Sequence, residues 1–329
     1  AGMAILPSTL LGILPVGCLL YMHGTLSAET FLAVIVLSFG VMQPLITAFS
    51  YTDDIAQVTT IVGEVAEVLS GEDMQRPERA EKLPADNAVE LKDVRFAYHD
   101  KEVLHGIDLH IAPGTVNALV GPSGSGKSTI TKLLLRYHDV TGGKITLHGQ
   151  NIRNVPQQEV RSAVSYVPQK AWLFSGTIAE NLRYGNPDAT EDDLYHALYV
   201  AQSNFVLDLP EGLNSPVAQG GTNFSGGQRQ RLSIARALAK KADLYVFDDS
   251  FSALDLKTDA ALRRSLYPHT KNSTILVVAQ RISTIINAEQ IVVLDDGKIV
   301  GIGTHSELLK NCETYKEIAS SQLPKEKIV

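Results

Sequence analysis

No lysine or arginine occurs before Arg76 in this chain of 329 residues. The same stretch holds seven acids, Glu29, Asp53, Asp54, Glu64, Glu67, Glu72 and Asp73, so it carries the whole formal net charge of −7. The remainder, with 29 bases and 29 acids, is neutral and lacks the basic face that nucleic-acid binding depends on; no nucleic-acid partner is expected. Cysteine is scarce. Cys18 lies in an apolar stretch and Cys312 near the end, which excludes a disulfide framework or a cysteine metal cluster, and nothing argues for a secreted fold. Charge of either sign is missing from Ala1 to Ala28 and again from Thr30 to Thr52. With 44% hydrophobic and 20% charged residues the composition is not that of a disordered protein, and the length suits about two domains.

Each uncharged run, at about 1.5 Å per residue, is long enough to cross roughly 30 Å of hydrocarbon and reads as a membrane helix. The competing readings are a signal peptide, which lacks its basic n-region and is followed by a second span, and a buried helical hairpin of a soluble protein. Only His23, Gly24 and Thr25 separate the runs, so the two helices are expected to be antiparallel. Pro7, Pro15 and Pro44 are tolerable in lipid as kinks. The short loop has no base, whereas Arg76, Arg79 and Lys82 follow the second run, which puts the rest of the chain in the cytoplasm. The helical period of Ile55, Val58, Ile61, Val62, Val65, Val68 and Leu69 carries the second helix to about Ser70 and Gly71. The expected division is a membrane part at 1–71, a polar linker with Pro77 and Pro84 at 72–87, and a soluble domain at 88–329.

In that domain, alternation over Val89–Phe96 and around Leu109–Ile111 predicts antiparallel strands. Apolar runs at Val116–Val120, Leu244–Phe247, Thr274–Ala279 and Gln290–Leu294 alternate with helical stretches, the pattern of a parallel sheet covered by helices. The expected class is α/β with an antiparallel accessory sheet.

Gly121, Pro122, Ser123, Gly124, Ser125, Gly126, Lys127 and Ser128 fit the pattern G-x-x-x-x-G-K-[ST], with the strand Val116–Val120 in front and a helix from Thr129 to Arg136 behind. Glycines let backbone N–H groups face phosphate oxygens, and the helix N-terminus adds a partial positive charge. Lys127 would reach the β and γ phosphates of a nucleotide, and the Ser128 hydroxyl would ligate Mg²⁺. A second apolar strand, Leu244-Tyr-Val-Phe-Asp248, ends in a carboxylate suited to hold that Mg²⁺; next to it stands Asp249.

Between these elements lies Asn223-Phe-Ser225-Gly226-Gly227-Gln228-Arg-Gln-Arg231-Leu-Ser-Ile-Ala-Arg-Ala-Leu238, which closely resembles the signature of ABC-transporter nucleotide-binding domains. Ser225 is expected to cap a helix whose first amides, with two glycines allowing close approach, form an anion site. The resemblance covers nearly the whole soluble domain and implies phosphate-loop NTPase architecture with a helical subdomain and ATP as ligand. It implies that Tyr98 stacks on adenine, that Gln169 in Tyr-Val-Pro-Gln reaches the Mg²⁺ and links the ATP site to the membrane part, and that Asp255 in Ser-Ala-Leu-Asp contacts an opposite domain. Val217-Ala-Gln-Gly-Gly221 resembles the stretch that touches coupling helices in exporters. Exporters of this family carry six membrane helices ahead of the nucleotide domain, so the two runs look like the last two, and the chain like a fragment. In the family two such domains meet head to tail, and each ATP lies between one phosphate loop and the partner's signature.

Two positions depart from the family pattern. Asp249 stands where the family has the Glu that polarises the attacking water; its carboxylate is one methylene shorter, and losing a positioned base costs about 10²–10⁴-fold. Gln280, in Val-Val-Ala-Gln-Arg-Ile-Ser-Thr, stands where the family has a His at the γ-phosphate, and it can donate a hydrogen bond but carries no proton or charge. This combination resembles the degenerate half of heterodimeric bacterial exporters, many of them multidrug exporters. It implies a lipid bilayer, a small-molecule substrate and a second half-transporter with an intact catalytic Glu as partners. The alternatives are a slow self-sufficient homodimer, an importer on the exporter scaffold such as some siderophore systems use, and a regulatory ATP-binding half without turnover.

Overall fold

A computed structural model describes residues 2–70, Met74, Pro77 and 89–322; over 2–11 and at most positions of 39–53 it describes the backbone alone. The chain divides into two units, Ala1–Asp73 and Met74–Val329.

The first unit is a helical hairpin of α1 (Gly2–Met22) and α2 (Ala28–Ser70). Its turn is tight because Gly24 takes φ +68°, Thr25 N and Oγ1 both donate to Leu20 O, and Ser27 Oγ accepts from Thr30 N at 3.2 Å as the N-cap of α2. Gly17 is buried where the Phe31 ring packs on it, a close approach that a Cβ would block. Among the described residues no helix is long and apolar enough to cross a membrane, so the pair of spans is not borne out there. The side chains described on α1, Gly12–Met22, make about half of the roughly 20 residues a span needs, and α2 beyond residue 53 bears Asp54, Glu64 and Glu67. The linker expected at 72–87 lies outside the described residues apart from Met74 and Pro77.

The second unit runs β1 (Val89–Tyr98), β2 (Lys101–Ile111), β3 (Val116–Val120), α3 (Lys127–Leu134), β4 (Gly142–Leu147), β5 (Gln150–Asn151), α4 (Gln157–Ala163) and β6 (Val164–Val167). There follow β7 (Gly176–Thr177), α5 (Ile178–Arg183), α6 (Glu191–Val200), β8 (Pro216–Val217), α7 (Gly226–Ala239), β9 (Leu244–Asp248) and α8 (Leu256–His269). The last elements are β10 (Thr274–Val278), α9 (Ile282–Ile285), β11 (Gln290–Asp295), β12 (Lys298–Gly303), α10 (His305–Asn311) and α11 (Glu313–Gln322).

The central sheet has the order β12-β11-β3-β10-β9-β6, parallel except for the antiparallel edge strand β12. The accessory sheet, β2-β1-β4-β5, is antiparallel. Successive residues of a strand point to opposite faces, and here both faces are buried, which is why the central strands read as unbroken apolar runs. Ala118, Val120, Phe247, Val277 and Val293 pack on one side with α7 and α8 residues such as Ile234 and Leu262. Leu119, Val246, Leu276, Val278 and Val292 pack on the other with α3 (Ile130, Leu133) and with Leu91, Leu104, Ile107 and Ile145 of the accessory sheet. The expected α/β class holds, and the four apolar runs are β3, β9, β10 and β11.

Candidate functional site

The loops after β3, β6, β9 and β10 leave the central sheet at the carboxyl ends of its parallel strands, where α/β sheets bind ligands. They enclose a cleft of about 680 Å³ lined by Gly121–Gly124, Gly126, Lys127, Ser128, Thr129, Gln169, Asp248, Asp249 and Gln280, with Ile318, Ser321 and Gln322 of α11 on one wall. Thus the phosphate-loop residues, both predicted acid positions and Gln280 come together, although they lie up to 159 positions apart in the sequence.

The loop geometry follows from its glycines. Gly126 sits at φ +101° and ends the loop, so α3 begins at Lys127, two residues ahead of the expected Thr129. A side chain at Gly126 would also meet Leu104 Cδ2 at 2.6 Å. Ser125 is buried beneath the loop and its Oγ takes a hydrogen bond of 3.2 Å from Lys127 Nζ. Lys127 Nζ also donates to Gly121 O (2.9 Å) and Pro122 O (2.6 Å), which keeps the ammonium folded into the loop. Its burial lowers the pKa below the ordinary lysine value, opposed by Asp248 and Asp249.

Asp248 ends β9 and is buried; burial raises its carboxyl pKa, while hydrogen bonds from Tyr166 and Thr131 and the Lys127 charge act the other way. Tyr166 Oη donates to Asp248 Oδ2 at 3.1 Å, and burial first, then the Asp248 charge, raises the phenol pKa. Asp249, at φ +46°, occupies the left-handed region that Asp tolerates better than most residues. Gln169 Nε2 donates to Asp249 Oδ2 at 3.0 Å, so the two side chains are tied across β6 and β9. The cleft therefore offers one ammonium, two carboxylates, the hydroxyls of Ser123, Ser128, Thr129 and Ser321, and three primary amides. That donor set, around a loop with glycine N–H groups, fits a polyphosphate with a divalent cation.

The other predicted residues lie elsewhere. Tyr98 is not among the residues lining the cleft; its ring packs edge-on against Phe96 (centroids 4.8 Å) and His138 (5.4 Å), with Lys132 Nζ 5.7 Å above it. Its hydroxyl is buried with no hydrogen-bond partner among the described residues. Ser225 is the N-cap of α7 in a reciprocal capping box: its Oγ accepts from Gln228 N (3.2 Å) and Gln228 Oε1 accepts from Ser225 N (2.9 Å). A Cβ on Gly226 would meet nothing within 4 Å, and one on Gly227 only Ala253 O at 3.7 Å, so packing within this chain does not demand either glycine. Asp255 caps α8, its Oδ1 accepting from Lys257 N and Thr258 N; the Thr258 bonds hold its pKa below the usual carboxylate value. Neither Ser225–Gln228 nor Asp255 lines the cleft that holds the phosphate loop.

Tyr166 and the α11 residues escaped the sequence reading. Tyr166 precedes Gln169 by three residues, and only the parallel register of β6 on β9, Val167 opposite Phe247, brings it beside Asp248. Gln322 carries no local motif at all.

A family model described as ABC transporter matches residues 104–252. An uncharacterized ABC transporter ATP-binding protein of Mycobacterium bovis is 49% identical over 249 residues, 73% of this chain and 43% of that protein. The ATP-dependent lipid A-core flippase of Desulfotalea psychrophila is 36% identical over 321 residues, 94% of this chain and 55% of the flippase. A multidrug resistance ABC transporter ATP-binding and permease protein of Lactococcus lactis is 34% identical over 95% of this chain and 53% of its own length. The solved structure of a bacterial Atm1-family ABC exporter with ATP bound aligns with a TM-score of 0.76 and 31% identity, covering 92% of this chain and 53% of that one. The chain thus spans about half the length of the relatives it matches. Residues 104–252 thus form an ABC transporter domain, and the chain that carries it is similar to ABC exporters in sequence and in structure.

Proposed function

We propose that this chain is the ATP-binding and membrane subunit of an ABC exporter, one half of a pair, whose own site binds ATP with Mg²⁺ and hydrolyses it slowly. The observation that carries the reading is a cleft whose lining holds the phosphate loop together with Asp249 and Gln280. In it Lys127 and the backbone N–H groups of the loop Gly121–Thr129 would hold the phosphates and Ser128, Asp248 and Gln169 the Mg²⁺, while Tyr98, outside the cleft lining at the end of β1, would serve the adenine. Mg²⁺, when bound, neutralises charge building on the phosphates. Asp249 is a poor base on two counts, being short and already engaged by Gln169. Gln280 donates a hydrogen bond to the terminal phosphate. Ser225–Gln228 and Asp255, outside this cleft, complete the site of a partner with an intact catalytic Glu. The hairpin at 1–71 belongs to the membrane part, the linker at 72–87 joins it to the domain at 88–329 on the cytoplasmic side, and a small molecule is the cargo.

The test is ATP binding and turnover by the full chain beside an Asp249→Glu, Gln280→His double variant. Binding is expected to be equal in both, with turnover at least about a hundredfold higher in the double variant, the lower end of what a positioned base contributes, about 10²–10⁴-fold. Ordinary turnover by the unaltered chain overturns the slow-site reading and leaves a self-sufficient homodimer.

A further inference from the structure

We infer that Gln322, the last residue of α11, is a positioning residue for the nucleotide cleft: it holds the backbone at Gln280 so that the Gln280 side chain meets the terminal phosphate. The inference rests on the reading of the cleft given above. The helix presents Tyr315, Ile318, Ala319 and Gln322 along one stripe, at spacings of three and four residues. Tyr315 and Ala319 are fully buried in the core, and the Tyr315 hydroxyl lies 2.7 Å from His305 Nδ1, so α11 is anchored independently of the cleft. One turn on, Ile318 and Gln322 reach the cleft wall.

The Gln322 amide makes two bonds there. Its Nε2 donates to Gln280 O at 2.7 Å and its Oε1 accepts from Ile282 N at 2.8 Å. The bonds straddle Arg281, whose guanidinium donates to Ser252 O at 3.1 Å. Ile282 opens α9, a helix whose N-cap residue Arg281 supplies no side-chain cap, so Gln322 takes up a first-turn N–H that the helix itself leaves open. A primary amide is required: only it offers a donor and an acceptor in one plane at this reach. Gln280 is thereby fixed on both flanks, by β10 before it and by α11 after it, and a side chain on a fixed backbone pays less entropy when it meets its ligand.

The experiment compares ATP and ADP affinities of the full chain, by titration calorimetry, for the unaltered protein and for Gln322→Ala, Gln322→Glu, Gln280→Ala and the Gln280→Ala, Gln322→Ala pair. Loss of the clamp should lower the preference for ATP over ADP about fivefold, the worth of one ordinary hydrogen bond, with ADP affinity unchanged and the unfolding temperature without nucleotide lowered by only a few degrees. Gln280→Ala should lose the same preference, and the pair no more than either single variant, since both act through one contact. Gln322→Glu keeps the acceptor but turns a carboxylate onto Gln280 O and should lose at least as much of the preference at neutral pH, which carries the test if the alanine variant folds poorly. The inference is overturned if Gln322→Ala keeps the full preference, or loses ATP and ADP affinity in parallel. If Gln280→Ala keeps the preference too, the proposed role of Gln280 falls with it; if Gln280→Ala alone loses it, only the role of Gln322 falls.

Discussion

Asn181 offers the sharpest test of how the loop beyond Gln169 is held. It is 2% exposed, its Oδ1 accepts from Phe174 N at 2.8 Å, and its Nδ2 donates to Phe174 O at 2.8 Å and Thr177 O at 3.0 Å. Replacing it by Ala leaves three backbone groups without partners. Because water reaches part of this loop, each loss belongs at the low end of the range, about 1 kcal/mol, which totals about 3 kcal/mol. For a unit of this size the urea dependence is about 3 kcal/mol per molar, so the midpoint should fall by about 1 M. Trp172, the chain's one tryptophan, sits on this loop, is 47% exposed and faces Gly220, so its fluorescence reports the transition directly. Asn181→Asp keeps the acceptor but turns a carboxylate onto two carbonyl oxygens; it should be at least as destabilised at neutral pH and should recover as acid protonates it. A midpoint shift under about 0.3 M for Ala, or an Asp variant as stable as the unaltered protein, refutes the reasoning.

Asp248→Asn should raise the unfolding temperature of the nucleotide-free chain while abolishing the Mg²⁺-dependent tightening of ATP binding. The sign follows from burial, which raises the Asp248 pKa in the folded state, so the native carboxylate opposes folding at neutral pH. The difference between the two proteins should therefore shrink as pH falls through the raised value, and a calorimetric pH series checks it. Ser225→Ala removes the Oγ cap of α7 but leaves the Gln228 half of the box; a loss of about 1 kcal/mol in urea unfolding is expected. ATP affinity at the chain's own cleft should stay unchanged, while turnover of the assembled pair falls.

Much of this was legible in the sequence where chemistry is local. The phosphate loop needs its glycines in one stretch, and Ser225 and Gln228 cap α7 at the spacing that a capping box always has. The central strands announced themselves because burial on both faces removes the polar alternation. What escaped depends on long-range register. Tyr166 meets Asp248 through the pairing of β6 with β9, and Gln322 meets Gln280 across 42 positions, neither of which leaves a periodic trace. Tyr98 shows the converse: a motif fixed its place at the end of β1, but its packing on Phe96 and His138 is a property of the folded sheet.

The separation of Ser225–Gln228 from the cleft that holds Lys127 has a genetic consequence. If a working site needs a phosphate loop from one chain and a signature from another, lesions in the two segments disable different sites although they lie in one polypeptide. When this chain lacks Lys127 and the proposed partner lacks its own signature serine, both lesions fall in the same site and the second site stays whole. A pair with both changes in one chain damages both sites. Co-expressing the two arrangements distinguishes shared sites from self-contained ones without any measurement of structure.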